Sequence, residues 1–161
     1  GSSKSRALLA ELLLETGRVG EAGVVIGELT GQAAPDAVTL YLQGRLAMVT
    51  QRWEDARKLL AQAMAMQDTK AGPHLWLGRL ELIEGHAAKG EALLERAVRL
   101  DPDNPAGHLA LADLYLRQER YDRVVGESLE VLRRNPGHLE AAVMYADAHA
   151  GQDHWREVEL V

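Results

Sequence analysis

The sequence predicts an all-α chain of stacked helix–turn–helix units, and three observations carry that prediction. The apolar residues are nearly all Leu, Ala and Val, with no Phe and only 4% aromatics. Leu and Ala favour helices, whereas the β-branched and aromatic runs of strands are scarce. At 47% hydrophobic and 26% charged, the chain has enough apolar surface for a packed core. Finally, the sequence repeats itself at a fixed interval.

That interval is 34 residues (77 to 111): Leu77-Gly78 returns as Leu111-Ala112, Asp101-Pro102 returns as Asn135-Pro136, and Gln43-Gly44 precedes Leu77-Gly78 by the same step. It also links Trp53, Ala87, Tyr121 and Trp155, and Ala63, Ala97 and Val131. Repeats therefore start at Ser3, Ala37, Ala71, Pro105 and Leu139 without a gap, and the fifth is incomplete. The chain of 161 residues fits one domain, predicted over 3–161, with Gly1 and Ser2 read as a cloning remnant.

Each unit reads as two helices of roughly 12 to 14 residues. In the fourth, Asn104 and Pro105 form a helix start, a capping side chain followed by a first-turn proline. Leu109, Ala112 and Leu116 mark one stripe, and the chain turns at Gln118-Glu119-Arg120. A second helix follows with Val124, Val125, Leu129 and Leu132, ended by Asn135-Pro136. Elsewhere the turn holds Gly17 and Gly85, where the backbone can turn left-handed.

Small residues set the packing. Ala10, Gly44, Gly78, Ala112 and Ala146 share the eighth position, and Ala22, Ala56 and Gly90 share the twentieth, followed there by Val124 and Val158. Leu12, Leu46, Leu80, Leu114, Ile26, Leu60 and Leu94 are expected to fill the space between. One helix pair cannot bury its apolar face alone, so neighbours must stack.

Leu77-Gly78, Leu111 with Tyr115, Ala56 with Leu60, Pro102 and Pro136 fit the spacing Trp-x2-Leu-Gly-x2-Tyr, Ala-x3-Phe, Pro. The chain thus resembles the tetratricopeptide repeat family from about Ser3 to its end. It departs from the pattern at the tryptophan position, which holds Arg6, Leu40, His74, His108 and Ala142, and it never has Phe at the phenylalanine position. The first repeat lacks the closing proline at its usual place, with Pro35 one residue later.

The resemblance implies a right-handed α-solenoid whose first helices line a concave groove that holds a protein or peptide segment. Carried onto this chain, the groove floor would include Tyr41, Arg45, Met48, Leu75, Arg79, Leu82, Leu109, Asp113, Leu116, Val143 and Asp147. A ninth-position row runs Glu11, Arg45, Arg79, Asp113, Asp147. Acidic groups on a ligand would meet Arg45 and Arg79, and basic groups Asp113 and Asp147. The plainer alternative is that these four charges form neighbouring Arg–Asp pairs, worth about 0–1 kcal/mol each. One branch of the family grips a chaperone's C-terminal carboxylate with Lys and Asn. Ala7, Glu11 and Leu42 stand there instead, so chaperone-tail binding is not expected.

Other chemistry is sparse. The net charge of −6 and pI near 5.5, with scattered Lys and Arg, disfavour nucleic acid. There is no cysteine for a disulfide, thiolate metal site or nucleophile. No apolar run reaches the roughly 20 residues of a membrane helix, and no targeting segment precedes the repeats, leaving cytoplasm or periplasm open. His74 and His108 share a repeat position but are expected to be packing histidines, while His149 and His154 flank an expected turn at Asp153. Asp101 and Asp103 are expected to cap the next helix. No nucleophile elbow, phosphate loop or dinucleotide fingerprint is present, and neither cofactor, metal nor enzymatic activity is expected.

Three functions follow. The first is a protein-binding scaffold. The abundance of Ala, Leu, Gly and Arg suggests a bacterial source, and the resemblance then implies a fragment of a larger protein such as an envelope-assembly, pilus or exopolysaccharide-secretion component. The second is an oligomerisation module using repeat ends or the convex face. Val143, Trp155, Val158 and Leu160 would lack a covering helix, allowing a homodimer through the C-terminal repeat. The third is a regulatory segment attached to an enzyme.

Overall fold

The computed structural model describes residues 2–31 and 35–159, with side chains described as far as Gln152. Among them are nine α-helices and no strand: α1 (Ser3–Glu15), α2 (Val19–Thr30), α3 (Ala37–Val49), α4 (Trp53–Met66), α5 (Ala71–Ile83), α6 (Ala87–Leu100), α7 (Pro105–Arg117), α8 (Tyr121–Arg134) and α9 (Leu139–Glu159). The odd-numbered helices open one sequence repeat apart.

The two helix types start differently. Ser2, Asp36 and Asn104 cap α1, α3 and α7, their side chains accepting from Ser5 N, Thr39 N and Ala106 N. The N–H of Thr39 donates to Asp36 at 2.8 Å, and that bond, with the Thr39 side chain's, holds the Asp36 carboxyl below its usual range. Arg18, Arg52, His86 and Arg120 precede α2, α4, α6 and α8 with no side-chain cap, all near φ −81° to −87° and ψ 59° to 73°.

The turn explains that uniformity. Gly17, Gln51, Gly85 and Glu119 take φ of 73°, 58°, 84° and 57°. The next residue's N–H then donates five residues back: Arg18 to Leu13 O, Arg52 to Ala47 O, His86 to Glu81 O and Arg120 to Tyr115 O, at 2.8–2.9 Å. This left-handed closure satisfies the final carbonyls of each first helix. Two of the four turns do it without glycine, at a conformational cost that the packing of the returning helix offsets.

Two compact units, Gly1–Leu80 and Glu81–Val161, divide the chain. In the first, α1 packs on α2 and α3, α2 on α3, and α3 on α4. Ala10, Leu13, Leu14, Ala22, Ile26, Leu29 and Leu42 form one buried cluster. A Cβ on Gly44 would lie 2.7 Å from Leu60 Cγ, so the eighth-position glycine allows α3 and α4 to close. In the second unit, α7 packs on α6, α8 and α9, and α8 on α9, around buried Leu94, Leu111, Tyr115, Val124 and Ala148. Gly107 lets α7 close on the preceding α6, since its Cβ would come within 2.9 Å of Val98.

Several sequence expectations are corrected. Leu12 is 55% exposed, not core. α3 and α7 each lie against the preceding second helix, but no described helix precedes α1. Ala146 is likewise exposed on α9. On α8 Val124, Ser128 and Val131 are buried, and Leu129 is exposed. Asp101 and Asp103 do not cap the next helix: Asp101 closes α6, Asp103 pairs with Arg134 at 2.7 Å, and Asn104 caps α7. The turn expected at Asp153 is absent, because α9 runs unbroken through it. A turn residue without glycine needs a returning helix to repay its cost, and none is described there. The side chains of His154, Trp155, Val158 and Leu160 lie outside the described residues, whereas Val143 is half exposed.

Candidate functional site

In the first unit the faces of α1, α3 and α5 carry a charged aromatic cluster. Arg45, at mid-length on α3, is only 6% exposed. Its Nη1 donates to Glu11 Oε1 on α1 at 3.2 Å and lies 3.5 Å from the Tyr41 hydroxyl. Tyr41 in turn donates to the same carboxylate at 3.5 Å. The guanidinium lies 5.7 Å from the Tyr41 ring and 4.9 Å from the Trp76 indole of α5, which Arg79 also overlies at 4.9 Å. Each such cation–π contact contributes about 0.5–2 kcal/mol. Gly72 makes room, since a Cβ there would meet the Tyr41 ring at 2.8 Å. Burial raises the Tyr41 hydroxyl's pKa, opposed by Arg45.

Arg45 Nε is enclosed and meets no acceptor. Leaving such a donor unmet costs about 1–3 kcal/mol, so it calls for an explanation. The structure thus brings together Tyr41, Arg45 and Arg79 of the sequence-predicted floor. Met48 and Leu75 are buried in the same unit, within the packing more than on its surface. Sequence reasoning missed Trp76 and the partnership of Glu11. The indole stands three residues before Arg79 on one helix, and that spacing could have revealed it.

In the second unit Leu82, Leu109 and Leu116 are half-buried, and Val143 and Asp147 are exposed. Asp113 pairs with Arg117 on its own helix at 2.9 Å. Of the ninth-position row, Arg45 pairs with Glu11 and Asp113 with Arg117. A second aromatic cluster centres on fully buried Tyr115, with Arg120 and Arg123 at 4.4 and 5.1 Å from its ring. Arg120 pairs with Glu91 at 3.0 Å, and Arg123 donates to the Tyr115 hydroxyl at 3.1 Å. An open cleft lined by Gln118, Arg120, Tyr121, Arg123 and Gln152 adjoins it.

The paired histidine positions prove structural. His74 is buried, with its ring nitrogens 3.0 Å from Lys70 O and from Asp68 Oδ1. His108 is buried, with Nδ1 2.8 Å from Glu127 and Nε2 3.0 Å from Pro102 O. Both His108 nitrogens face acceptors, and the bond to Glu127 raises its pKa above the ordinary 6.5 despite burial. Glu81, Glu84 and His86 bring ligand-type atoms within 4.8 Å of one another, but His86 bonds Glu81 at 2.8 Å and the Lys89 ammonium lies 3.8 Å from it. Those contacts account for the buried carboxylate. Among the described residues no helix is long and apolar enough to cross a membrane.

The family model described as tetratricopeptide repeat matches residues 81–125. That segment is thus similar to the tetratricopeptide repeat. Its fold class is the all-α solenoid of stacked helix pairs. Among solved structures it is similar to the anaphase-promoting complex hetero-tetramer Cut9–Hcn1, with a TM-score of 0.78 at 16% identity, covering 92% of this chain and 30% of that one. It is also similar to YrrB, a tetratricopeptide-repeat protein with an unusual peptide-binding site (TM-score 0.65, 16% identity, 94% and 78% covered). A third is the first such domain of Spaghetti (RPAP3) bound to the HSP90 peptide SRMEEVD (0.69, 13%, 73% and 94%). At these identities the likeness is one of fold. No protein of curated function matches the sequence.

Proposed function

We propose that this tetratricopeptide-repeat chain is a non-enzymatic protein-interaction scaffold that binds a peptide or protein segment on the faces of its first helices. The supporting observation is the cluster of Glu11, Tyr41, Arg45, Trp76 and Arg79. It concentrates charge and aromatic surface on the helices whose counterparts in other repeat proteins form a groove. Peptide binding by similar folds supports the same reading. In the first unit Tyr41, Arg45 and Arg79, with Met48 and Leu75 behind them, would receive acidic groups. In the second, Asp113 and Asp147 beside Leu82, Leu109, Leu116 and Val143 would receive basic and apolar ones. The composition supports a bacterial source, and the family resemblance suggests a parent protein acting in envelope assembly, pilus biogenesis or exopolysaccharide secretion.

The test is selection of binders from a displayed peptide library, followed by affinity measurement on Arg45→Ala, Arg79→Ala and on an exposed second-helix control, Lys58→Ala. Loss on the double variant with retention on the control supports the reading. Affinities unchanged by the double variant, and by Asp113→Ala with Asp147→Ala, would reject it. Exposed Leu139 and Val143 on α9 favour a second reading, self-association. It would appear as a concentration-dependent mass in light scattering, lost on Val143→Glu.

A further inference from the structure

We infer that Arg45 is a preformed seat for an acidic side chain of the bound segment, occupied at rest by the chain's own Glu11. The inference rests on the groove reading above and specifies what its first unit recognises. Arg45 is a nearly buried cation whose hydrogen-bonding capacity is incompletely used: Glu11 reaches it through one oxygen, at 3.2 Å from Nη1, and Nε has no acceptor. A guanidinium can grip a carboxylate with two parallel N–H bonds, so the resident contact falls short of what the fork offers. The Tyr41 and Trp76 rings fix the guanidinium's plane. A partner that engages it therefore meets a group already ordered, and ordering costs weaken binding less.

Glu11 differs from Arg45 in one decisive respect. Its side chain is 40% exposed while that of Arg45 is 7% exposed, so the pair turns its carboxylate toward solvent. A ligand carboxylate approaching from solvent meets Glu11 first and can replace it without opening the core. Because the resident is a glutamate, the seat is sized for a carboxylate. Arg79 over the same indole adds positive charge beside it. A pair that only held α1 to α3 would share these distances, but the two roles predict opposite effects when Glu11 loses its charge.

The test uses the full chain carrying Trp53→Phe and Trp155→Phe, which leaves Trp76 as the fluorescent reporter. The probe is an acetylated, amidated hexaglutamate peptide at low ionic strength, with the matched hexalysine peptide as control. Hexaglutamate alone should shift the emission saturably. If Glu11 occupies the seat nine-tenths of the time, Glu11→Gln should tighten the apparent Kd about tenfold. Arg45→Met should weaken it by at least about tenfold, and Arg45→Lys, which keeps charge but loses the fork, by less. Should Arg45→Met fail to fold cooperatively, Glu11→Gln decides alone, since a purely structural pair predicts no gain. No gain on Glu11→Gln, or no hexaglutamate binding by either protein, overturns the seat. A library-selected peptide that maps to the first helices yet binds Glu11→Gln no more tightly overturns the seat and leaves the groove reading standing.

Discussion

His108 shows how one side chain can join three segments of a repeat. Its imidazole sits on α7, reaches Glu127 on α8 and meets the carbonyl of Pro102 before α7. Both acceptors are best served when both ring nitrogens carry protons, so folding favours the imidazolium and raises the pKa above 6.5. A group whose folded pKa exceeds its unfolded value contributes stability that is fully present below the unfolded pKa. That contribution is lost as pH rises through the folded pKa. The chain should therefore lose stability as pH rises from about 6 through the raised value, over and above its other titrations. The urea midpoint followed across this range should fall more for the parent chain than for His108→Gln. Parallel curves would show that the Glu127 contact does not favour the charged ring.

At the scale of helices, the first and second members of each repeat obtain their ends from different sources. Ser2, Asp36 and Asn104 cap first helices with side chains, whereas second helices begin directly from the left-handed turn behind Arg18, Arg52, His86 and Arg120. Asn104→Ala should cost about 1 kcal/mol, within the usual 0.5–2 kcal/mol range for a lost cap. Arg52→Ala should stay within about 0.5 kcal/mol, because the contacts of its side chain with Asp55 and the Thr50 hydroxyl are exposed. Equal losses in chemical denaturation would contradict this division. Much of the element pattern was legible in the sequence, since Gly17, Gly85 and Asn104-Pro105 announce turns and starts through their own conformational preferences. Gln51 and Glu119 do not announce them; they adopt the left-handed turn because the second helix returns and packs. Where no described helix returns, at Asp153, the same reading predicted a turn and α9 continues instead. The candidate site was legible in Tyr41, Arg45 and Arg79, whose repeat positions mark the first-helix face. It was not legible in Trp76 or in Glu11 as a partner, because cross-helix stacking depends on how close two backbones come. Gly72 permits that approach without specifying what fills it.

Across the whole molecule, the repeat architecture predicts that protection follows position within each unit. Helix α3 has α1, α2 and α4 against it, and α7 has α6, α8 and α9. Helix α1 instead leaves Leu8, Leu9 and Leu12 at 70%, 45% and 55% exposure, and α9 leaves Leu139 at 77% and Val143 at 50%. In an array whose stability sums neighbour interfaces, helices with fewer interfaces open at lower free energy. Amide exchange should accordingly be slowest along α3 and α7, and faster along α1 and α9. The same asymmetry governs substitutions on equivalent positions. Leu8 and Leu42 both occupy the sixth place of their repeats, yet Leu42 is 1% exposed. Leu42→Ala should cost about 2–5 kcal/mol, whereas Leu8→Ala should stay within about 0.5 kcal/mol. Both measurements turn on the same physical point: identical sequence positions contribute differently because stability resides in the interface between helices, and only the inner ones have that interface on every side. Uniform exchange along α1 and α3, together with equal costs for the two leucines, would mean that the first unit opens as a single block and that its outer helix is held as tightly as its inner one.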